Sequence, residues 1–482
     1  MRLEVIWGDR KDVHEVLPRA NLFYVLQENY ALLEEFPWDT KEFRTDCGGH
    51  GRCGKCSILW ESGLAEYQGK VVFGRGQSLL ACQVFLLSDG AVRLPVQPGS
   101  ALPEGKAQEK REEETERDTG TKEEDSCDCG IAVDIGTTNL KFAKVRLLDG
   151  AVLRTYECRN SQGSYGADVM ARIIAACEGD AEKLAALVRS DIEKGLDKLF
   201  PSSGRPPRKV SFACNTTMLS LLFGFPVDGM REHPFAPYCL KVPQKEWHGA
   251  AVCFAPCAGP FIGGDIAAGL AVLPWEEEPL LLIDLGTNGE LVLGTKERLL
   301  AVSVAAGPAF ESGDWRMGTS ALAALAEAYR NKAVDETGLL LEPYFEMGYP
   351  FYAEDGSCAG ILTQSAVRDL QLAKAAVRTG VEYLLSKSPF DMPNKVYLAG
   401  GMGTLREEDC IEIGMLPECF LGRTEFLGNT ALAGAVHMLA DASAHNAMEK
   451  LAEKIEEHEL AGWDRFGESY LRYLDLPEKK WE

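Results

Sequence analysis

The sequence predicts two folded parts: a small strand-rich front module and a larger α/β part built from a duplicated unit. Three observations carry this. A cysteine loop threaded with glycine, Cys47-Gly-Gly-His-Gly-Arg-Cys53-Gly-Lys-Cys56, lies among apolar strand-like runs near the start. A segment at 98–128 is dense in charges of both signs and poor in apolar residues. Beyond it, Ile131-Ala-Val-Asp134-Ile-Gly136-Thr137-Thr138 is echoed by Leu281-Leu-Ile-Asp284-Leu-Gly286-Thr287-Asn288. Apolar strands that alternate with helical stretches, in two halves, define a duplicated α/β architecture.

Within the front module, 1–97, a strand is predicted at Leu3–Trp7 and a helix at Asn21–Glu34. Leu22, Val25, Leu26, Leu32 and Leu33 fall at helical spacing there, and Asn21 is placed to cap the helix. The cysteine loop follows, then strands from Ser57–Trp60, around Leu79–Phe85, and at Val92–Val96. The segment 98–128 cannot bury enough apolar surface to offset its ordering entropy. It reads as a flexible acidic linker or a solvated helix, and as a spacer either way.

In the third part, 129–482, each Asp-x-Gly-Thr copy ends one apolar strand and opens another, at Leu140–Leu148 and Glu290–Gly294. Helices are expected at Gly166–Cys177 and Ala321–Tyr329, and much of Gly318–Gly360 reads as helix and acidic loop.

The chain of 482 residues carries 50 Lys+Arg against 73 Asp+Glu, a net charge of −23. That balance argues against nucleic acid and anionic membrane as partners, because phosphate repels such a surface. The opening residues are charged throughout, with no apolar core of a secretory signal. The longest apolar stretch, Met218–Val227, is too short to span a bilayer. A reducing cytoplasm is the expected compartment. The 15 cysteines then read as free, metal-bound or redox-active thiols rather than a disulfide framework.

Cys47, Cys53 and Cys56, with Cys82 further on, supply soft thiolate ligands suited to an iron–sulfur cluster or to zinc. Gly48, Gly49, Gly51 and Gly54 let the loop wrap tightly and turn backbone N–H groups toward cluster sulfurs, which favours the cluster. A structural zinc site usually pairs two C-x-x-C knuckles, and only one is present. In the duplicated hairpins, Gly136 permits close backbone approach, and Thr137 and Thr138 can grip phosphate oxygens. Asp134 is placed to hold Mg²⁺ through water. Asp284, Gly286, Thr287 and Asn288 can do the same from the other half, so two facing hairpins would clamp a triphosphate.

Asp265, after Gly263-Gly264, and Glu290 are the candidates to position an attacking water, Asp265 before Glu290. Each also reads as a cap or turn residue. Gly400 and Gly401, at the end of an apolar strand, read as a strand–helix turn. Cys127 and Cys129 read as exposed thiols, Cys253 and Cys257 as buried packing residues, and His50 as a solvent-facing loop residue.

The wording CGGHGRCGKC…LLACQ resembles the front module of reductive activators of corrinoid-dependent methyltransferases. So do Ser164–Arg172, Asn215–Met218, Phe261–Ile266, Ala305–Glu311, Ile361–Ala376 and Gly428–Gly434. The resemblance implies a β-grasp [2Fe–2S] ferredoxin-like domain with Cys47, Cys53, Cys56 and Cys82 as ligands. It implies a second part of the acetate and sugar kinase/Hsp70/actin (ASKHA) type, a two-lobed ribonuclease H-like fold. There Gly400 and Gly401 would pack against adenosine, and the cofactors would be the [2Fe–2S] cluster and Mg-ATP.

The activity implied is ATP-dependent transfer of one electron to Co(II) of a corrinoid, restoring Co(I). The partners implied are a corrinoid protein or corrinoid-dependent methyltransferase and a low-potential electron donor, with room for a homodimer. The alternative is an iron–sulfur carrier whose ASKHA part docks the corrinoid protein without hydrolysing ATP. The chain departs from its relatives in a short linker, a trimmed Gly318–Gly360 region, and Cys214 where they tend to have Gly.

Overall fold

The structure is a computed structural model. It describes residues 1–7, 10–16, 20–23, 25–26, 57–67, 70–74, 77–94, 128–166, 168–201, 206–243, 245–247, 249–307, 321–352, 358–400 and 406–478. The chain divides into two compact units, Met1–Glu113 and Glu114–Glu482. Among the described residues, no helix is long and apolar enough to cross a membrane.

The first unit contains β1 (Arg2–Trp7), β2 (Arg10–Glu15), β3 (Ser57–Ser62), β4 (Leu64–Tyr67), β5 (Lys70–Phe73), β6 (Gln77–Leu80), β7 (Val84–Leu86) and β8 (Gly90–Arg93). Five of these form one mixed sheet in the order β2-β1-β8-β3-β6, with β1 and β8 parallel; β5-β4-β7 form a second. Leu3 and Val5 alternate inward along β1, as Ile58 and Trp60 do along β3, and they share one core with Leu22, Leu26 and Val92. The buried Trp60 indole is satisfied by donating to the Gly63 carbonyl at 3.2 Å. Asn21 caps as predicted, its Oδ1 accepting from the Phe23 N–H at 3.1 Å. The remainder of the predicted helix, 27–34, lies outside the described residues.

The second unit opens with β9 (Cys129–Ile135), β10 (Asn139–Arg146) and β11 (Val152–Arg159), followed by α1 (Val169–Ala175) and α2 (Ala181–Leu199). Next come β12 (Lys209–Cys214), α3 (Thr216–Phe223), β13 (Lys245–Trp247), β14 (Ala250–Phe254) and α4 (Gly264–Ala271). The second half has β15 (Leu280–Leu285), β16 (Gly289–Thr295), β17 (Arg298–Val304), α5 (Ala321–Arg330), β18 (Tyr349–Tyr352), β19 (Cys358–Leu362) and α6 (Gln364–Lys387). It continues with β20 (Lys395–Gly400), β21 (Thr424–Gly428), α7 (Thr430–Ala440), α8 (Ala444–Ala452), β22 (Ile455–His458) and α9 (Phe466–Arg472).

The duplication is visible in two six-stranded sheets, β11-β10-β9-β12-β14-β13 and β21-β20-β15-β16-β17-β22. The central strands β9 and β15 are buried on both faces and are accordingly near-continuous apolar runs.

Two helices tie the halves together by packing on each other's sheets. Ile266 and Leu270 of α4 pack on Leu280, Leu282 and Val292 of the second sheet. Ala431, Ala435 and Met438 of α7 pack on Ala132, Ala143 and Ala213 of the first. The helices cross at glycines: a Cβ on Gly434 would meet the Ala268 carbonyl oxygen at 2.2 Å. Any larger residue there forces the helices apart. This crossing sets Thr430, at the start of α7, against Gly269 of α4, which matters for the site below.

Two expectations need correction. Gly318–Gly360 is not only helix and loop: β18 and β19 pair antiparallel within it, with Pro350 opposite Ile361. A two-stranded ribbon has open edges, so proline is tolerated at position 350 within β18. Cys129 is not an exposed thiol; it begins β9 and is buried in the core of the first lobe. Cys127 lies outside the described residues. Cys257 is buried as expected, while Cys253 is only partly so.

Glu457 on β22 bridges the two halves. Its Oε1 accepts from the Phe261 N–H at 3.1 Å, while Oε2 is buried without a hydrogen-bond partner among the described residues. Burial pushes its carboxyl from the ordinary 4.5 up to about 7. A raised carboxyl favours the protonated folded state, so its destabilising effect is absent below pH 4.5 and grows as pH rises toward 7. Glu457→Gln is therefore expected to match the parent in acid and to gain on the order of 1 kcal/mol above neutrality, discounting for partial solvent screening. Thermal unfolding of both chains across this pH range checks it; parallel pH profiles would refute it.

Candidate functional site

Of the predicted cluster ligands, Cys47, Cys53 and Cys56 lie outside the described residues. Cys82 is buried in the 3₁₀ turn Ala81–Gln83 that follows β6. Its carbonyl accepts from Asn21 Nδ2 at 2.9 Å, and Gln83 Nε2 lies 3.9 Å from its sulfur. Strand β3 begins at Ser57, the residue after Cys56, and Ser57 pairs with Leu80, two residues before Cys82. Sheet register thus sets Cys82 beside the point where the chain leaves the cysteine loop.

In the second unit the two Asp-x-Gly-Thr hairpins come together. Each is closed by its glycine N–H, over slightly different spans: Gly136 N–H donates to Asn139 O at 3.0 Å, and Gly286 N–H to Asn288 O at 2.9 Å. Between them lies a cleft with an empty volume of about 650 Å³. Asp134, Gly136, Thr137, Asp265, Asp284, Gly286, Thr287, Asn288, Glu290 and Gly400 all line it. Thr138 instead meets the opposite hairpin, its Oγ1 2.8 Å from Thr287 Oγ1. Gly400 has φ +115°, and a Cβ there would sit 2.0 Å from the Leu285 carbonyl oxygen, so only glycine fits. Gly401 lies outside the described residues.

The sequence reading assigned no site role to Asn215, Asn429, Thr430 or Lys141. Asn429 caps α7, its Oδ1 accepting from Leu432 N–H at 2.7 Å, while its Nδ2 donates to Asp134 Oδ2 at 2.6 Å. Thr430 Oγ1 stands 3.4 Å from Asp284 Oδ2. Asn215 caps α3 through Met218 N–H at 2.9 Å and donates to Thr137 Oγ1 at 3.2 Å. Lys141 faces Asp134 across the β9–β10 ladder and lines the cleft. The available signal was the Asn-Thr pair ahead of an apolar run at both 215 and 429, a helix-start pattern. The N-termini of α3, α4 and α7 therefore open on one cleft, where their positive ends favour an anion.

The cleft also gathers carboxylates. Asp265 is half-buried in the first turn of α4 and lines the cleft. Burial, then the charges of Asp284 and Asp134, push its carboxyl up to about 7. Carboxylates that repel one another this way suit a hard divalent cation, which oxygen donors hold directly or through water. Backbone N–H groups, helix ends and Lys141 suit phosphate, so the residues fit a metal–phosphate ligand. The thiol of Cys214 beside the cleft is pushed well up by burial, with Cys257, Asp265 and Asp134 adding to it. The Cys257 thiol rises to about 12 for the same first reason, so neither is poised as a nucleophile.

The RACo middle region, as a family model, matches residues 129–277. The C-terminal domain of RACo, the ASKHA domain, matches 278–341 and 348–482. The chain belongs to the RACo family. Its duplicated two-lobed unit is accordingly an ASKHA fold, that of actin and the sugar kinases. The corrinoid activation enzyme RamQ of Eubacterium limosum is 25% identical over 417 residues, covering 71% of this chain and 69% of RamQ. A solved structure described as a reductive activator for corrinoid, iron–sulfur protein superposes with a TM-score of 0.66 at 22% identity, covering 98% of each chain. RACo membership thus rests on residues 129–482, the part of the molecule that contains the cleft.

Proposed function

We propose that this chain is an ATP-dependent iron–sulfur reductive activator that passes one electron to the Co(II) corrinoid of a methyltransferase system and regenerates Co(I). The observation that carries the reading is the meeting of the two Asp-x-Gly-Thr hairpins in one carboxylate-lined cleft between two lobes. Both similar proteins named above act on corrinoid systems by their descriptions.

In this reading the front unit is a β-grasp domain, supported by its mixed sheet with parallel β1 and β8. Cys47, Cys53, Cys56 and Cys82 hold a [2Fe–2S] cluster. Cys82 fits the role through its buried sulfur and its register beside the cysteine loop. A cluster held there would supply one-electron transfer from a low-potential donor. In the cleft, Asp134 and Asp284 hold Mg²⁺, and Gly136, Thr137, Gly286, Thr287 and Asn288, with the backbone N–H of Thr138, bind phosphate. Gly400 and Gly401 pack the adenosine. Asp265, on the first turn of α4 with its carboxyl raised by burial and by Asp284 and Asp134, is the residue that takes a proton from water, ahead of Glu290.

One observation favours a second reading, a docking module that binds the corrinoid protein without turning over ATP. The 2.8 Å contact between Thr138 and Thr287 joins the hairpins across the space a triphosphate would thread. One experiment separates the two. Anaerobically purified full chain is mixed with a Co(II) corrinoid protein and a chemical reductant, with and without Mg-ATP. Co(I) formation accelerated by Mg-ATP, with phosphate release that the corrinoid protein stimulates, supports the activator. Equal rates and no phosphate release support the docking module.

A further inference from the structure

The geometry points to Arg172 as a positioning residue for the first phosphate hairpin, working together with Asn160. This rests on the nucleotide reading above and assigns the part of the protein that aims the hairpin.

Three successive carbonyls of the hairpin are fastened from behind. Asn160 Nδ2 donates to Gly136 O at 2.9 Å, Arg172 Nη2 to Thr137 O at 2.5 Å, and Asn160 N–H to Thr138 O at 2.8 Å. A trans peptide carries its C=O and N–H on opposite sides. Holding the carbonyls of Gly136 and Thr137 against the protein body therefore turns the N–H groups of Thr137 and Thr138 the other way. That is the face from which Gly136 and Thr137 line the cleft. Consecutive N–H groups presented together form an anion-binding concavity. A cation on the carbonyl end of a peptide also polarises its N–H end, strengthening it as a donor.

The charge of Arg172 is the second part of the argument. The residue is 1% exposed, and its other hydrogen bonds go to Gly166 O at 3.0 Å and Gln162 Oε1 at 3.3 Å, with Met218 Sδ 3.5 Å away. All these acceptors are neutral. Among the described residues no carboxylate lies within ion-pair distance of it. The carboxylate that reaches it is Asp168, exposed and already capping α1 through Ala171 N–H at 2.8 Å. A buried cation without a close counter-ion is costly, and a neutral glutamine would satisfy one carbonyl without that cost. An anion on the far side of the hairpin, one peptide away, is the offset that explains a guanidinium here. Phosphate groups of the bound nucleotide are that anion.

The test is calorimetry of the full chain with Mg-ATP and, separately, with adenosine. Arg172→Met is expected to weaken Mg-ATP at least tenfold and adenosine less than twofold. Arg172→Lys, which keeps the charge but not the fork of donors, is expected to recover most of the Mg-ATP affinity. An Arg172→Met chain that binds Mg-ATP like the parent overturns the inference. So does one that loses both ligands alike, the mark of a merely structural role. If Arg172→Met does not fold, Arg172→Gln, which keeps a donor for the Thr137 carbonyl but not the charge, decides: selective weakening of Mg-ATP supports the inference, and an equal effect on both ligands, or none, overturns it. A parent chain without Mg-ATP affinity removes the nucleotide reading and this inference with it.

Discussion

Cys82→Ser is expected to strip the cluster from the full chain. The parent, purified without oxygen, should be red-brown with visible charge-transfer bands and about two irons per chain. Serine is nearly the size of cysteine but offers a harder, far more basic oxygen in place of a thiolate, so the variant should lose most iron and colour. Electron delivery to Co(II) should fall to the rate without protein, while calorimetric Mg-ATP binding stays at the parent value. Cys82 is the most informative of the four cysteines because it is remote in sequence from the other three. The Ser57–Leu80 register brings it near Ser57, the residue that follows Cys56 in the chain. A colourless parent with one zinc per chain would overturn the cluster, and a Cys82→Ser chain with an unchanged spectrum would overturn the ligand assignment.

The site was legible where chemistry and local pattern coincide. Asp134 and Asp284 each follow an apolar strand and precede Gly-Thr, so residue type, turn and repeat all point one way. Asn429 shows the opposite case. It touches Asp134 although 295 residues separate them. Locally it is an ordinary helix cap, and nothing in its neighbourhood announces a partner in the other half. That contact exists because α4 and α7 trade sheets, and the trade is written only in small residues such as Gly269 and Gly434, whose meaning depends on what they face.

Arg172 was hidden by its type, since arginine is rarely buried and reads as surface. β18 carries a proline, Pro350, which a two-stranded ribbon tolerates where a sheet interior does not. Thr138 was read as a phosphate ligand, yet its hydroxyl meets Thr287, a contact that pairing two hairpins face to face makes available and one hairpin alone cannot show.

Asp134→Asn and Asp284→Asn are each expected to weaken Mg-ATP at least a hundredfold, about 3 kcal/mol, and to return Co(I) formation to its rate without ATP. Asparagine keeps an acceptor of the same shape, so Asn429 retains an oxygen to donate to and the loss isolates the charge. The consequence for electron delivery follows from energetics. Co(I) is a very strong reductant, so reducing Co(II) from a ferredoxin-type centre runs uphill. A one-electron equilibrium shifts tenfold per ~59 mV, and a gap of a few hundred millivolts leaves almost no Co(I).

ATP can offset that gap only if the activator binds the Co(II) and Co(I) states with different affinity, since equal affinity shifts nothing. Reversing a 1:99 ratio requires about 5.5 kcal/mol of such preference. A cleft whose two lobes are joined by crossing helices can couple phosphate binding to lobe closure, and Asp134 and Asp284 stand on opposite lobes at its base. Removing either charge should uncouple the cycle and leave the cluster spectrum untouched. Stopped-flow absorbance of Co(I) with each variant decides it. A variant that no longer binds Mg-ATP yet still delivers electrons at the ATP-stimulated rate would show that the cleft does not drive the reduction.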